Sequence, residues 1–424
     1  MFAKELQQPD SAGIQINRVQ DIYYEKGMIT MEKVRLGIIG IGNMGSGHCS
    51  SLMKGEVPDM ILSAAADLRE VRRQWAEVTL PENVKIYATG EELIESGTCD
   101  AVLIATPHYD HPRFAMLAFE HGLHVLCEKP AGVYTLQVRQ MNEAAEKSGL
   151  VFAMMFNQRT NHVYRKMHDL VHNGRYGQIK RVNWIITDWY RTQAYYNSGG
   201  WRATWDGEGG GVLLNQCPHN LDLLQWICGM PSKVQAFCHM GKWHDIEVED
   251  DVTAYLEYPN GATGVFITTT GDAPGTNRFE ITLEQAKLVC ENNQLTVYEL
   301  EVNEREYCYT ATEGFQKPEG RWVEVITDGE NPQHAGVLRA FAGRILRGTP
   351  LIAEGKEGIH GLTLSNAMHL SSWLQSPVQL PLNEELFLEK LMERRANSKT
   401  KTGVSEVTFS TEGSYGSKKN EMVQ

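Results

Sequence analysis

The chain has 424 residues, 42% of them hydrophobic and 22% charged, the makeup of a globular protein with substantial buried cores rather than of a disordered or fibrous one. At ~100–200 residues per domain, that length predicts two or three domains. Lys and Arg number 40 against 53 Asp and Glu, and the resulting net charge of −13 disfavours a nucleic-acid or anionic-membrane footprint and points to a small-molecule partner.

In chain order, residues 1–30 carry no clear periodicity and read as a flexible N-terminal extension. Their start, MFAKELQQPDS, places acidic and polar groups where a signal peptide needs an apolar core. From Val34 the apolar runs VRLGIIG, MILSAAAD, DAVLIAT and HVLCEKP alternate with longer helix-like stretches. That rhythm predicts a parallel βαβ sheet covered by helices on both faces, over residues 31–155.

The texture then changes. Short β-rich runs from RVNWIITDWY to QLTVYELEV, punctuated by Gly, Asn, Asp and Pro, predict a mostly antiparallel sheet. Helices are expected over GVLLNQCPHNLDLLQWICG, QHAGVLRAFAGRILRG and GIHGLTLSNAMHLSSWL, making residues 156–394 an α+β substrate-binding and oligomerisation domain. From 395 to 424 the chain is rich in Ser, Thr, Lys and Gly, and a disordered tail is expected. No run reaches the ~18 continuous apolar residues of a membrane span. The eight cysteines form no CxxC pair and no Cys/His metal framework, which suits reduced thiols in a cytoplasmic protein and predicts no bound metal.

Gly40, Gly42 and Gly45 form G-x-G-x-x-G between a strand and a helix. In that setting the first glycine permits a tight turn, the second lets backbone approach a pyrophosphate, and the third allows close helix–strand packing. Asn43 and Met44 lie inside the turn and join it as candidate cofactor contacts. Asp67 ends the next apolar run, 22 residues after Gly45, near the ~20 expected of a ribose-binding acid. Its carboxylate would repel a 2′-phosphate and favours NAD over NADP, while Arg69, Arg72 and Arg73 behind it keep NADP as the second choice. Two further strand ends face the same crevice: Thr106 and Pro107, with His111 beyond them, and Glu128 with Lys129.

Together GIIGIGNMG, IATPHYDH, CEKPAG and GGGVLLNQCPHNLD resemble, in order and spacing over residues 31 to 390, the Gfo/Idh/MocA oxidoreductases. The resemblance implies a Rossmann domain followed by an open-faced, mostly antiparallel sheet, NAD(P)-dependent oxidation of a sugar or cyclitol carbinol, and a homo-oligomer (dimer, tetramer or hexamer). It also implies that Lys129 of EKP and His219 of the D-x-x-x-H element stand beside the nicotinamide. This chain departs at the element's first position, where Asn215 replaces the Asp of many members, so the family's full Asp–Lys–His relay does not carry over.

The chemistry of a carbinol agrees with that trimmed site. Loss of hydride requires a base for the hydroxyl proton and a cation or donor for the oxygen. His219 and Lys129 supply both, and which of them is the proximal base stays open. Asn215 and His219, four apart, would share a helix face, with Pro218 kinking the helix between them. Asp222 is expected to orient His219 or to pair with an arginine.

The segment from Trp184 to Gly211 is rich in aromatic and arginine side chains, of which Tyr190, Trp201 and Arg202 are expected in a sugar pocket, with Trp184 in the sheet core. Asn157, Arg159 and Tyr164, just past the last parallel strand, are further expected substrate contacts. Within the family, the Asn at 215 and the aromatic linker resemble the members that oxidise carbon 3 of a glycoside to a 3-keto-glycoside. Inositol dehydrogenase, NAD-dependent redox glycosidase and a non-catalytic NAD/sugar sensor are the alternatives.

Overall fold

The computed structural model describes residues 32–399 and 401; the expected N-terminal extension (1–30) and most of the expected tail lie outside them. The first unit is β1 (Val34–Ile39), α1 (Asn43–Met53), β2 (Met60–Ala66), α2 (Glu70–Thr79), β3 (Lys85–Tyr87), α3 (Gly90–Glu95), β4 (Ala101–Ile104), α4 (Asp110–Glu120), β5 (His124–Cys127), α5 (Thr135–Ser148) and β6 (Phe152–Met154). The six strands run parallel in the order β3-β2-β1-β4-β5-β6. β4 is buried along its whole length and β1 at all but one residue, as continuous apolar runs covered on both faces must be.

A short 3-10 turn (Asn157–Thr160) and α6 (His162–His172) lead into the second sheet. That sheet contains β7 (Ile179–Ile186), and, after α7 (Gln193–Tyr196) and α8 (Pro218–Cys228), β8 (Lys233–Met240), β9 (Glu249–Glu257), β10 (Thr263–Thr269), β11 (Asn277–Leu283), β12 (Ala286–Glu291) and β13 (Gln294–Leu300). α9 (Glu304–Thr310), β14 (Gly320–Glu324), α10 (Gln333–Arg347), α11 (Gly358–Leu374), β15 (Val378–Gln379) and α12 (Glu384–Ala396) complete the described chain. The nine strands lie in the order β14-β13-β12-β11-β7-β10-β9-β8-β15, and β7 with β10 is the parallel pair in an otherwise antiparallel sheet.

Period-two burial sorts this sheet into two faces. Val182, Trp184 and Ile186 point inward with Phe266 and Phe279, and Trp184 stacks on Phe279 at 4.0 Å between ring centroids. α8 and α11 cover that face, while Phe237, Tyr255 and Trp322 stand exposed on the other. The parallel sheet takes one of its covering helices from far along the chain. α10 lays Val337, Leu338, Phe341 and Ala342 against Val34, Leu36 and Ile38 of β1.

Two sequence expectations change here. The helix expected over GVLLNQCPHN begins only at Pro218; residues 211–217 are turns, so the proline starts the helix instead of kinking it. A proline at the first helical position removes an N–H that has no intrahelical partner in any case. The tail expected to be disordered from 395 starts inside α12 and stays bonded: Arg395 pairs with Asp206 at 2.7 Å, Lys399 N donates to Glu247 Oε2 at 3.0 Å, and the Lys401 ammonium meets the Tyr196 carbonyl.

Candidate active site

The glycine turn after β1 is built as its sequence requires. Gly40 has φ +88°, and a Cβ there would lie 2.7 Å from the Ala105 carbonyl oxygen; a Cβ on Gly45 would lie 1.9 Å from the Gly40 oxygen. Gly42 differs: it caps α1 with no side-chain bond, and a Cβ there would find its nearest neighbour, an Arg69 nitrogen, at 3.6 Å. The first turn of α1 carries no acid and no side-chain cap, so its N–H groups and dipole are left for an anion. Asn43 and Met44 sit half-buried in this opening.

Asp67 borders the turn from the end of β2. Its Oδ2 accepts from Ile41 N at 3.0 Å, and its Oδ1 accepts from Arg69 N at 3.0 Å and Arg69 Nε at 3.2 Å. Arg72 is tied to the Ile41 carbonyl and Arg73 to the carbonyls of Asp67 and Leu68, so these arginines brace the loop. At the end of β4, Thr106 Oγ1 is buried with no hydrogen-bond partner among the described residues, and Pro107 is exposed. An open helix N-terminus, a strand-end acid and an orphaned hydroxyl at one sheet edge fit a dinucleotide. His111 is a correction: its two ring nitrogens lie 2.7 Å from the Pro130 carbonyl and 2.9 Å from the Thr106 carbonyl. Both ring nitrogens abut carbonyls of two strand-end loops, the single N–H of the neutral ring donating to one of them, and neither is left for a cofactor.

At the end of β5, Glu128 turns inward and Lys129 turns to the crevice. Glu128 meets His48 Nε2 at 2.7 Å; burial pushes its carboxyl up, and the His48 bond with the nearby His334 and Lys129 outweighs this and holds it at about 2. Lys129 Nζ donates to the Asn215 carbonyl at 2.9 Å, a direct link from the dinucleotide unit to the loop before α8. Burial draws the Lys129 ammonium below its ordinary value, with the charges of Glu128 and Glu208 opposing that shift. His219, in the first turn of α8, is buried and sits far below the ordinary imidazole value, first through burial and then through the Lys129 charge. The ammonium and the imidazole are thus near enough to feel each other across the crevice.

The loop from β7 to α8 supplies the third wall. Arg202 lies over the rings of Tyr195 and Trp201, at 4.7 and 4.6 Å, and Trp201 packs edge-on against His108 at 5.7 Å. The Tyr195 hydroxyl accepts from Arg202 Nη1 at 3.0 Å, Asn215 Nδ2 at 3.3 Å and Gln216 Nε2 at 3.2 Å. Of the expected pocket residues, Trp201, Arg202 and Asn215 are therefore brought together, whereas the Tyr190 ring stands exposed (49%) outside this cluster.

Three expected substrate contacts are corrected. Arg159 is buried in ion pairs with Asp222 at 2.6 Å and Glu357 at 2.6 Å, so Asp222 pairs with an arginine and Arg159 is consumed. Asn157 is fully buried and gives its amide to Gln333 at 2.5 Å, and Tyr164 lies in the core, its ring 6.3 Å from that of Trp184. The junction they occupy packs beneath α8 and α10 instead of opening to the crevice. Sequence reasoning passed over Tyr195, His48, His334 and Glu208. Glu208 alone left a local signal, an acid inside the run GEGGG. Burial pushes the Cys217 thiol up to about 12 and raises Cys127 well above its ordinary value, which makes both inert. Among the described residues there is no group of three or more His, Cys, Asp or Glu able to hold a metal, and no helix long and apolar enough to cross a membrane.

The profile of an oxidoreductase family with an NAD-binding Rossmann fold, GFO/IDH/MocA, matches residues 34–156, and that of the GFO/IDH/MocA C-terminal domain matches 164–289, together more than half of the chain. Myo-inositol 2-dehydrogenase of Thermotoga maritima is 25% identical over 342 residues, 79% of this chain and 95% of that protein. D-glucoside 3-dehydrogenase of Escherichia coli is 27% identical over 256 residues, 56% of this chain and 70% of that protein. The WlbA dehydrogenase of Chromobacterium violaceum, crystallised with NADH and UDP-GlcNAcA, shares the fold with a TM-score of 0.72 at 25% identity, over 84% of this chain and 98% of that one. An open dinucleotide turn in one half and a lysine that reaches from that half to the loop before α8 thus have the same origin: the chain belongs to the Gfo/Idh/MocA family and is an NAD-binding oxidoreductase.

Proposed function

We propose that the protein oxidises a ring hydroxyl of a carbohydrate, at carbon 3 of a glycoside, to a ketone. The observation that carries this reading is that Lys129 reaches the loop leading into α8, bonding the Asn215 carbonyl at 2.9 Å four residues before His219, an imidazole kept neutral by burial and by the Lys129 charge. Gly40, Gly42, Asn43, Met44, Gly45, Asp67 and Thr106 would hold NAD, which when bound would supply the hydride acceptor for the carbinol carbon. Lys129 holds the carbinol oxygen through its ammonium, and His219 accepts the hydroxyl proton as the C=O bond forms. This orientation of roles follows from charge: a neutral imidazole can accept a proton, and the Lys129 ammonium, already bonded to the Asn215 carbonyl, can donate to the carbinol oxygen.

Trp201 and Arg202 form the sugar-facing wall in this reading. A flat indole suits the C–H face of a ring, and the guanidinium is a donor to hydroxyls. The likeness to a glucoside 3-dehydrogenase supports the glycoside, while the match to nearly the whole of an inositol 2-dehydrogenase makes a cyclitol the second reading. Assembly into a homo-oligomer through the exposed outer face of the second sheet, and residence in a reducing cytoplasm that suits the eight free thiols, belong to the same proposal.

The test is to mix the purified protein with NAD and panels of glucosides and inositols and follow the absorbance of reduced cofactor. A 3-deoxyglucoside should be inert where the 2-deoxy compound reacts, and kcat/KM should hold on the acid side to below pH 6.5, the ordinary imidazole value from which His219 is depressed. Aglycone release without net reduction of NAD would identify the redox-glycosidase form of the chemistry. Cofactor binding with no turnover of either panel would overturn the reading in favour of a sensor.

A further inference from the structure

Where relatives carry an acid four residues before the catalytic histidine, this chain has Asn215, and the site would lack a carboxylate on that side. The structure fills the gap from elsewhere. Glu208, 1% exposed, directs Oε1 to the Asn215 side-chain amide and Oε2 to the Ala203 backbone N–H at 2.5 Å. Asn215 in turn offers its carbonyl to Lys129 Nζ at 2.9 Å, so one residue touches the buried acid with its side chain and the ammonium with its backbone.

The loop is arranged around that acid. Ala203 has φ +52°, a left-handed conformation unfavourable for a non-glycine residue, and its N–H donates to the Glu208 carboxylate. Turns from Thr204 return the chain within five residues: Glu208 N donates to the Thr204 carbonyl at 2.9 Å and Gly209 N to the same oxygen at 3.0 Å. Burial raises the Glu208 carboxyl above its ordinary value, against which Arg202, the Ala203 N–H and Asn215 favour the charged form.

We propose that Glu208 is the positioning acid of this centre, supplying through Asn215 the negative charge that balances the Lys129 ammonium and fixing the loop that holds Asn215 on it. The inference rests on the dehydrogenase reading above for its kinetic consequence, but not for its electrostatic one. The groups facing Lys129 are the acids Glu128 and Glu208, the cations Arg191 and Arg202, and the imidazoles of His108, His219 and His334. All three imidazoles are pushed down by burial and are neutral at pH 7, which leaves two acids against two arginines. Glu128 is committed to His48, so Glu208 is the acid whose removal changes the balance without breaking an ion pair.

Glu208→Gln keeps the size and one acceptor oxygen, enough for the Ala203 N–H, and turns an NH2 toward Asn215, whose amide can flip to accept from it, while the charge is removed. Competitive acetylation of the cofactor-free protein with acetic anhydride, read at Lys129 by mass spectrometry across pH, should show its midpoint fall by about one pH unit. The double variant Glu208→Gln/Asn215→Asp, which restores an acid at the family's position, should return the midpoint toward the wild-type value. In turnover, kcat of Glu208→Gln should fall roughly tenfold with KM little changed, its Lys129-dependent limb moving to lower pH.

An unchanged Lys129 midpoint in Glu208→Gln, or a midpoint that Asn215→Asp fails to restore, overturns the proposal. So does a collapse of the fold in Glu208→Gln, seen by thermal unfolding, that the second substitution leaves unrepaired, because Glu208 is then purely structural. Absence of any sugar or cyclitol turnover in the wild type would defeat the dehydrogenase reading and leave the acetylation result standing by itself.

Discussion

Two glycine-rich turns border the crevice, and they use glycine in opposite ways. In the turn after β1, a Cβ on Gly42 would enter space with its nearest neighbour at 3.6 Å, so the missing side chain leaves room for a ligand. In the run GEGGG, a Cβ on Gly211 would lie 1.9 Å from the Glu249 carbonyl oxygen, and the Gly211 N–H is held by both carboxylate oxygens of the same glutamate at 2.9 Å. There the missing side chain lets backbone close on backbone. In the proposed reading the first turn is a site and the second is a mount that carries Glu208, Asn215 and His219 to it. The same residue type at similar density thus gives recognition in one place and positioning in the other, and only the surrounding packing distinguishes them.

The sharpest way to break this contrast is at the point where the two halves meet. Lys129→Ala should lower kcat by roughly a thousandfold or more while NADH affinity, measured by fluorescence titration, stays near wild type. Retained turnover would remove Lys129 from the chemistry and with it the link between the turns. Next in size, Gly42→Ala should weaken NADH at least roughly tenfold, the equivalent of about 1.4 kcal/mol, with the melting temperature unchanged, since φ is −68° and no protein atom is crowded. Gly211→Ala should do the reverse, costing about 1–3 kcal/mol of stability through overpacking against Glu249. If Gly211→Ala melted like wild type and lost cofactor instead, the assignment of the two turns would be inverted. The smallest effect is expected at Asp67→Ala, which loses ribose hydroxyl contacts and part of the Ile41 brace and should weaken NADH by roughly tenfold or less; equal affinity would exclude Asp67 as the ribose ligand.

What the sequence made legible follows from the range of the interactions involved. β1, the Gly40 to Gly45 turn and the placement of Asp67 are set by neighbours within one βαβ unit, and spacing alone located them. Lys129 and His219 were found through a resemblance, because nothing local says that Lys129 reaches the Asn215 carbonyl, four residues before His219 and far along the chain. The errors share one cause. Arg159, Asn157 and Tyr164 looked like polar and aromatic side chains at a domain junction, but Asp222, Glu357 and Gln333, which pair with the first two, come from α8, from the residue before α11 and from the start of α10. A buried partner distant in sequence leaves no periodic trace. Pro218 misled for a simpler reason: the apolar run GVLLNQC had the composition of a helix, and the turns there are held instead by Glu249 accepting from the N–H groups of Gly211 and Leu213.

The return of α10 to β1 has a consequence for how the molecule is made. The apolar strip formed by Val34, Leu36 and Ile38 waits for Phe341 and its neighbours, which leave the ribosome some three hundred residues later. A fragment cut after the sixth strand would therefore expose that strip to water and to other nascent chains. The core of the nucleotide-binding half is thus complete only once α10 has been made, which ties the cover of its first strand to the synthesis of the second half.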